Sequence, residues 1–480
     1  MTEVRAEYSD PSIARTLATW MEALAFWLFV ATLAWAPFPL GSNRPWSWSL
    51  LVFLITGLWL VWVLAIWSAP EKLRPLRRLK LPLAFAAITL GWALIQTATW
   101  VPSAWIHPVW QLGGDLLGRP VKGTISIDPW RTITEAMKLA SYLLAAVLAY
   151  LMGQKYERAQ RLLDALMIIA AFYAVYAATL QMSGFQQENI FYSTRATGGG
   201  FAGPFVSHNN FSTYAGLGAL IASVRLFDLG GRTLIVGRGI REFTVSAIYF
   251  VFGVGALPAS AFLLTFGMMI ASGSRAGFIA SLVGLTTLMA FGGVIAGQRL
   301  SRRWAAVGVA TIGAVILMLF MITGSNLSSR FDALVEAGTF DQTRLLLWQS
   351  AMRMIADSPF LGLGLGTFEP SYPLYADRVL PFIMDKVHND YLEFAAGLGL
   401  PAAIAWWTAI LLLFGMCVRG IFVRRRHRHY ALLAIAATAL VAFHSIFDFS
   451  LQIPAIALTY AVILGLGVAQ AAPTRNVEFD

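Results

Sequence analysis

Long apolar runs separated by short polar links dominate the chain. A helix of about 18–25 apolar residues crosses a hydrocarbon core of roughly 30 Å. Twelve runs are predicted as such helices: 18–36, 47–67, 81–100, 133–152, 162–181, 209–227, 244–272, 276–297, 304–323, 394–418, 430–447 and 454–470. The expected fold is therefore all-α and polytopic. The first run could pass for a leader with a cleavage site at Ala34-Trp35-Ala36, but it lacks a basic flank and is read as a retained span.

The links carry an orientation signal. Those on the side of the termini hold 23 Lys and Arg, against 11 on the other side, although the other side has the two longest links. The clusters are Lys72, Arg74, Arg77, Arg78 and Lys80; Arg299, Arg302 and Arg303; and Arg424, Arg425, Arg426 and Arg428. Basic residues accumulate on the cytoplasmic side, so both termini are expected there. Trp35, Trp46, Trp48, Trp100 and Trp105 fall near predicted interfaces. Two substantial outer loops follow, 101–132 and 324–393.

Composition supports this picture. Of 480 residues, 58% are hydrophobic and 12% charged, too apolar for a soluble core. The formal charge of +10 is read as basic loops facing anionic lipid, not as a nucleic-acid surface. The single Cys417 excludes an internal disulfide and a cysteine-based metal site.

The candidate chemistry gathers at the outer ends. In the large loop, residues 341–357 have helical periodicity, with Leu345, Trp348, Met352 and Ile355 on one stripe and Asp341 as N-cap. A short helix on the outer membrane surface is predicted. It carries Arg344 and Arg353, either as ligand contacts or as a solvated face. PFLGLGLGTF (359–368) follows. Its glycines could let backbone N–H groups approach phosphate, though it lacks the strand context of a dinucleotide fingerprint. The loop ends with His388, Asp390 and Glu393 at the mouth of an apolar span. Asp390 and Glu393 share a helix face, either as functional carboxylates or as capping and packing groups.

Other polar groups interrupt apolar runs. In SGSRAG (272–277), Arg275 is expected near or inside the membrane and in need of an anion: Glu393, Asp390 or a substrate phosphate. In SHNNF (207–211), His208, Asn209 and Asn210 can bind sugar hydroxyls, or cap a helix with Ser207. In HSIFDF (444–449), His444 and Asp448 are four apart and read as a structural pair. His388, Asp390 and Glu393 are a conceivable metal set, but no second ligand-rich motif accompanies them.

SGSRAG, the TRLLLW helix, PFLGLGLGTF and HNDYLEFAAGLG (388–399), in this order, resemble the O-antigen ligase and O-antigen polymerase superfamily. ISIDPWRT (125–132) and HSIFDFSLQIPA (444–455) are similar to it as well. The resemblance is strongest over about 190–470. It divides the chain into an N-terminal transmembrane region (1–190), a ligase-like region with the large loop (191–470) and a cytoplasmic tail (471–480).

The resemblance implies a GT-C-like bacterial membrane glycosyltransferase. Its donor would be a glycan on undecaprenyl diphosphate. Its acceptor would be lipid A–core or a growing glycan. Arg275 and Arg344 would hold the diphosphate and His388 would be the general base. From the chemistry of the residues themselves, Asp390 or Glu393 would orient His388 or bind acceptor hydroxyls, with Arg353, His208, Asn209 and Asn210 as further substrate contacts. No cofactor is expected. Metal-dependent enzymes of this kind carry acidic residues in their first outer loop, whereas PFPLGSNRPW has none, so a metal-free mechanism is expected. Single motifs do not separate ligase, polymerase and protein-glycosylating members, but the motif set as a whole reads as a ligase, with a repeat-unit polymerase as the alternative. A transporter or flippase is the alternative of another class.

Overall fold

A computed structural model describes residues 11–67, 69–183, 201–233, 240–296, 342–377, 384–424 and 426–472. The expected ninth span (304–323), the opening of the large loop up to Asp341, and the cluster Arg299, Arg302 and Arg303 lie outside the described residues. So does the tail from 473.

The described chain is helical. Its first six helices are α1 (Pro11–Trp35), α2 (Pro45–Ala65), α3 (Lys80–Ile95), α4 (Val109–Leu117), α5 (Pro129–Met152) and α6 (Tyr156–Ser183). Then come α7 (His208–Thr233), α8 (Ile240–Phe252), α9 (Ala256–Ala271) and α10 (Arg275–Ala296). After the undescribed stretch come α11 (Gln342–Asp357), α12 (Phe368–Tyr375), α13 (Asp390–Leu398), α14 (Leu400–Val423), α15 (His429–His444) and α16 (Pro454–Ala469). Seven helices among the described residues are long and apolar enough to cross a membrane, or eight if one bent pair counts as a span. The protein is an all-α, multi-pass membrane protein.

Two expected spans are broken. The run 244–272 is divided into α8 and α9, with a bend of 78° between Arg241–Phe252 and Ala256–Ala271. Gly253 and Gly255 occupy the break, and glycine is a poor helix former that weakens the helix there. The run 394–418 is cut at Gly399, whose φ of 77° is open to glycine at little cost, and Pro401 then opens α14. Glu393 therefore sits on the short α13, not on the long α14.

The core is built around α16. Every residue of this helix is buried, and it is apolar on all faces, as a helix enclosed by others must be. It packs against α5, α14 and α15. Small residues permit the close approach. A Cβ on Gly465 would overlap the carbonyl oxygen of Ala146 on α5, and one on Gly467 would overlap the Ala434 methyl on α15. Large apolar side chains face outward instead, among them Phe53, Leu60, Ile88, Phe172, Leu263 and Leu411. Trp46, Trp100 and Trp130 are exposed near one end of the bundle, and Trp20 and Trp67 near the other, the pattern of interfacial belts.

Gly465→Leu is expected to lower stability by about 1–3 kcal/mol through overpacking. Thermal unfolding of the detergent-purified protein checks this. A control substitution at the exposed Leu411 leaves the midpoint unchanged.

Candidate functional site around Asp448

Asp448 lies in the link between α15 and α16, and its side chain is 0% exposed. Three segments distant in sequence converge on it. His388 places Nδ1 at 3.2 Å from Oδ1. The Asn209 amide, in the first turn of α7, donates to Oδ2 at 2.6 Å. Arg344, in the first turn of α11, brings a guanidinium nitrogen to 4.0 Å from Oδ2. The backbone N–H of Phe449 donates to Oδ1 at 2.8 Å. Burial alone pushes this carboxyl up. The His388 hydrogen bond and the charges of His388, His444 and Arg344 outweigh it and hold Asp448 well below the usual carboxylate range.

The expected pairing of His444 with Asp448 is not what forms. Their spacing of four brings side chains together only on a continuous helix. Here α15 stops at His444, and residues 445–447 form a turn that Asp448 N closes by donating to His444 O at 3.0 Å, which carries the Asp448 side chain away from the imidazole. His444 Nδ1 instead lies 3.0 Å from Ser450 Oγ. Asp448 turns to His388, Asn209 and Arg344.

His388 has a left-handed backbone, φ 56°, at the end of the loop preceding α13. The residues after it are stitched to the end of α15. Asn389 caps α13 by accepting from Leu392 N at 3.0 Å, and its amide donates to Ile446 O at 3.0 Å. Asp390 N donates to Ser445 O at 2.9 Å. The imidazole packs edge-on against Phe449, with ring centroids 4.8 Å apart. In the neutral ring, donation of Nδ1–H to the ionised Asp448 leaves Nε2 as the acceptor nitrogen, and the side chain is 30% exposed.

Asn209 extends the network. Its side-chain oxygen accepts from Ser274 Oγ at 2.7 Å, and Ser274 Oγ in turn accepts from Gly277 N at 3.1 Å, capping α10. Arg275 is the next residue. It stands at the start of α10 with its side chain on the outside of the bundle, while Ser272 and Ser274 beside it are buried. Asn210 is buried and accepts from Ser450 Oγ at 3.1 Å. Asn209 N donates to Ser207 Oγ at 3.2 Å, so the capping role read for SHNNF is realised too. His208 opens α7 and is partly buried.

Asp390 and Glu393 form a second polar cluster next to the first. Neither supplies the partner expected for Arg275. Asp390 accepts from Ser445 Oγ at 2.7 Å and from Gln452 Nε2 at 2.9 Å. Glu393 accepts from Val387 N at 2.9 Å and pairs with Lys386 at 3.2 Å. Lys386 Nζ donates to Gln452 Oε1 at 2.6 Å, which joins the two carboxylates. Burial pulls the Lys386 ammonium down, but the nearby carboxylates Glu393, Glu135 and Asp385 more than reverse this and raise it. Burial also pushes Asp390 up, to about 7, against the hydrogen bonds from Gln452 and Ser445. His388, Asp390 and Glu393 are thus committed to different partners and do not point at one centre.

The glycine run has a structural task rather than the phosphate contact considered for it. Leu363 N donates to Ala396 O at 3.0 Å and Gly364 N to Gly397 O at 2.9 Å. They satisfy carbonyls at the C-terminal end of α13. Gln96 Nε2 donates to Leu361 O at 2.7 Å and Gly397 O at 2.8 Å. Gly362 has a φ of 69°, and a Cβ there would overlap the Gly397 carbonyl and the Gly399 nitrogen. This run fixes where α13, and hence His388, sits.

Arg353 lies apart from Asp448. It makes a bidentate pair with Asp377, at 2.5 and 2.7 Å, on an exposed surface. The buried stripe of α11 is Leu347, Ala351 and Met354. Leu345 and Met352 are exposed, so the expected stripe is displaced around the helix. The reason is that α11 packs against α12 and α13 rather than against the membrane alone. Sequence reasoning also missed Lys386 and Gln452, and gave Asp448 only a local role. An isolated carboxylate between two apolar runs was the available signal.

Two predictions follow from these contacts. Gly362→Ala meets backbone on both sides, so it is expected to lower the unfolding temperature in detergent, while Gly57→Ala, in open space, does not. Asp390 gives a pH test. Burial pushes the folded value up to about 7, above the ordinary aspartate value of 3.8, so between these the folded state holds a proton that the unfolded state has lost. Its contribution to stability is full below about 4 and is lost as pH rises through 7. Asp390→Asn is expected to flatten the decline of the unfolding temperature between pH 5 and 8.

Comparison with known proteins comes to bear on this geometry. No curated protein matches the chain. Residues 259–407 match the family model described as O-Antigen ligase. The match runs from α9 into α14 and includes Arg275, Arg344 and His388. Asp448 and Asn209 lie outside it. Over residues 259–407 this multi-pass membrane protein is thus similar to the O-antigen ligase family.

Proposed function

We propose that the protein transfers a glycan from undecaprenyl diphosphate to an acceptor hydroxyl, at the Asp448 end of the bundle, on the periplasmic face of the bacterial inner membrane. The convergence of His388, Asn209 and Arg344 on one buried carboxylate carries this reading, and the family match supports a ligase- or polymerase-type membrane glycosyltransferase. The excess of Lys and Arg in links at the opposite end supports the orientation, with both termini cytoplasmic.

The chemistry follows from the residues. The acceptor oxygen attacks the anomeric carbon of the donor glycan. Its proton passes to His388 Nε2, while Asp448 fixes the tautomer through Nδ1–H and stabilises the imidazolium that forms. The anomeric carbon–oxygen bond breaks, and its electron pair leaves with the diphosphate. Arg275 and Arg344 oppose the charge that develops there. Asn209 aligns the carboxylate from its second oxygen and couples it to Ser274, beside Arg275. Asp390 and Glu393 support the loop that presents His388 through Lys386 and Gln452. The leaving group is already activated, so the proposed reaction uses neither nucleotide nor metal. Ligation to a lipid A–core acceptor is the favoured outcome, and elongation of a growing glycan is the alternative.

The test is transfer in vitro from a defined undecaprenyl-diphosphate glycan. His388→Ala is expected to reduce the rate by at least about 10²-fold, and Arg344→Ala by a factor on the order of 10². Asp448→Asn is expected to lose a comparable factor, because it no longer favours the Nδ1–H tautomer. Wild-type rates in folded His388→Ala and Arg275→Ala proteins would sink the proposal. A single added glycan indicates ligation, and a ladder of repeat units indicates polymerisation.

A further inference from the structure

The end of the bundle opposite Asp448 carries a cleft that glycan transfer leaves unused. Chain direction fixes its place. Helices α14 and α16 begin beside the site and end here, whereas α3 begins here and ends at Gln96, against Gly397. The cleft has a volume of about 630 Å³. Arg77, Arg78, Lys80 and Arg419 line it, with apolar walls that include Leu412 and Met416.

Several other cations at this end are paired. Lys72 and Arg158 both contact Glu22, and Arg225 contacts Asp164 and Asp228. Arg232 and His429 also contact Asp228. The cleft differs. No carboxylate lines it, and its four cationic side chains make no ion pair or side-chain hydrogen bond among the described residues. Four like charges around one concavity focus a positive potential that an anion would relieve.

The walls narrow the choice of anion. The cleft shares Pro82 and Val468 with a narrow apolar crevice of about 50 Å³ that continues between α3, α5, α14 and α16. Leu83 and Leu413 line that crevice. Leu81, beside Lys80, is exposed at the same mouth. A free inorganic anion accounts for the cations but not for the apolar walls. A lipid accounts for both, with its phosphate at the basic rim and its chain against the helices.

We propose that this cleft binds an anionic bilayer phospholipid, with its phosphate among Arg77, Arg78, Lys80 and Arg419 and an acyl chain lying along the groove between α3 and α14. The site is distinct from the proposed donor site, which lies at the other end of these helices.

The test uses the full-length protein, purified in detergent and titrated with phosphatidylglycerol, phosphatidylethanolamine or inorganic phosphate. Native mass spectrometry and thermal unfolding are the readouts. Phosphatidylglycerol is expected to be retained and to raise the unfolding temperature, with phosphatidylethanolamine at least tenfold weaker. The R77Q/R78Q/R419Q protein is expected to lose that preference, and Arg419→Gln alone to reduce it should the triple variant not fold. Equal retention of both lipids would overturn the proposal. So would an unchanged preference in the folded variants, or displacement of phosphatidylglycerol by millimolar inorganic phosphate.

Discussion

A carboxylate with no access to water must be matched by charge and hydrogen bonds, and Asp448 is such a group. Its partners come from the loop before α13, the first turn of α7, the first turn of α11 and its own backbone. Leaving any of them out strands a buried charge, so the four segments are bound to one geometry. The arrangement that stabilises Asp448 is also the one that orients His388 and brings Arg344 close. Stability and the proposed chemistry thus make the same demand on the fold.

The scaffold explains how such an arrangement stays in register. Helix α16 is enclosed on every side, and close contacts at Gly465 and Gly467 leave it little freedom to slide. Asp448 and Gln452 precede it directly. The glycine run of residues 362–366 then pins α13 through backbone hydrogen bonds and Gln96. His388 therefore hangs between two fixed points, the end of α15 and the start of α13. Its left-handed backbone is held there by the bonds that Asn389 and Asp390 make to Ile446 and Ser445.

The two ends of the bundle use charge differently. At the Asp448 end, Arg131, Lys138, Arg353, Lys386 and His388 each pair with a carboxylate. At the opposite end, cations are many, and those lining one cleft lack a protein partner among the described residues. A membrane offers anionic headgroups along its surface, so a basic rim above apolar walls is compatible with that solvent where it would be unfavourable in a soluble core.

Periodicity and length determined the helices, because spanning a hydrocarbon core fixes how many apolar residues must run together. The same pattern placed Arg344 and His388 on the segments that now meet, and the resemblance carried by short motifs agrees with the family match over residues 259–407. Tertiary structure decided the rest. A 78° bend and the cut at Gly399 are invisible to hydropathy, which averages over a residue or two. The choice of His388 over His444 as the partner of Asp448 depended on where α15 stops. Whether Arg353 faced a ligand or Asp377 depended on a loop packed from elsewhere. Sequence spacing sets which side chains can meet along one helix. Only the packing of helices sets which meet across the site.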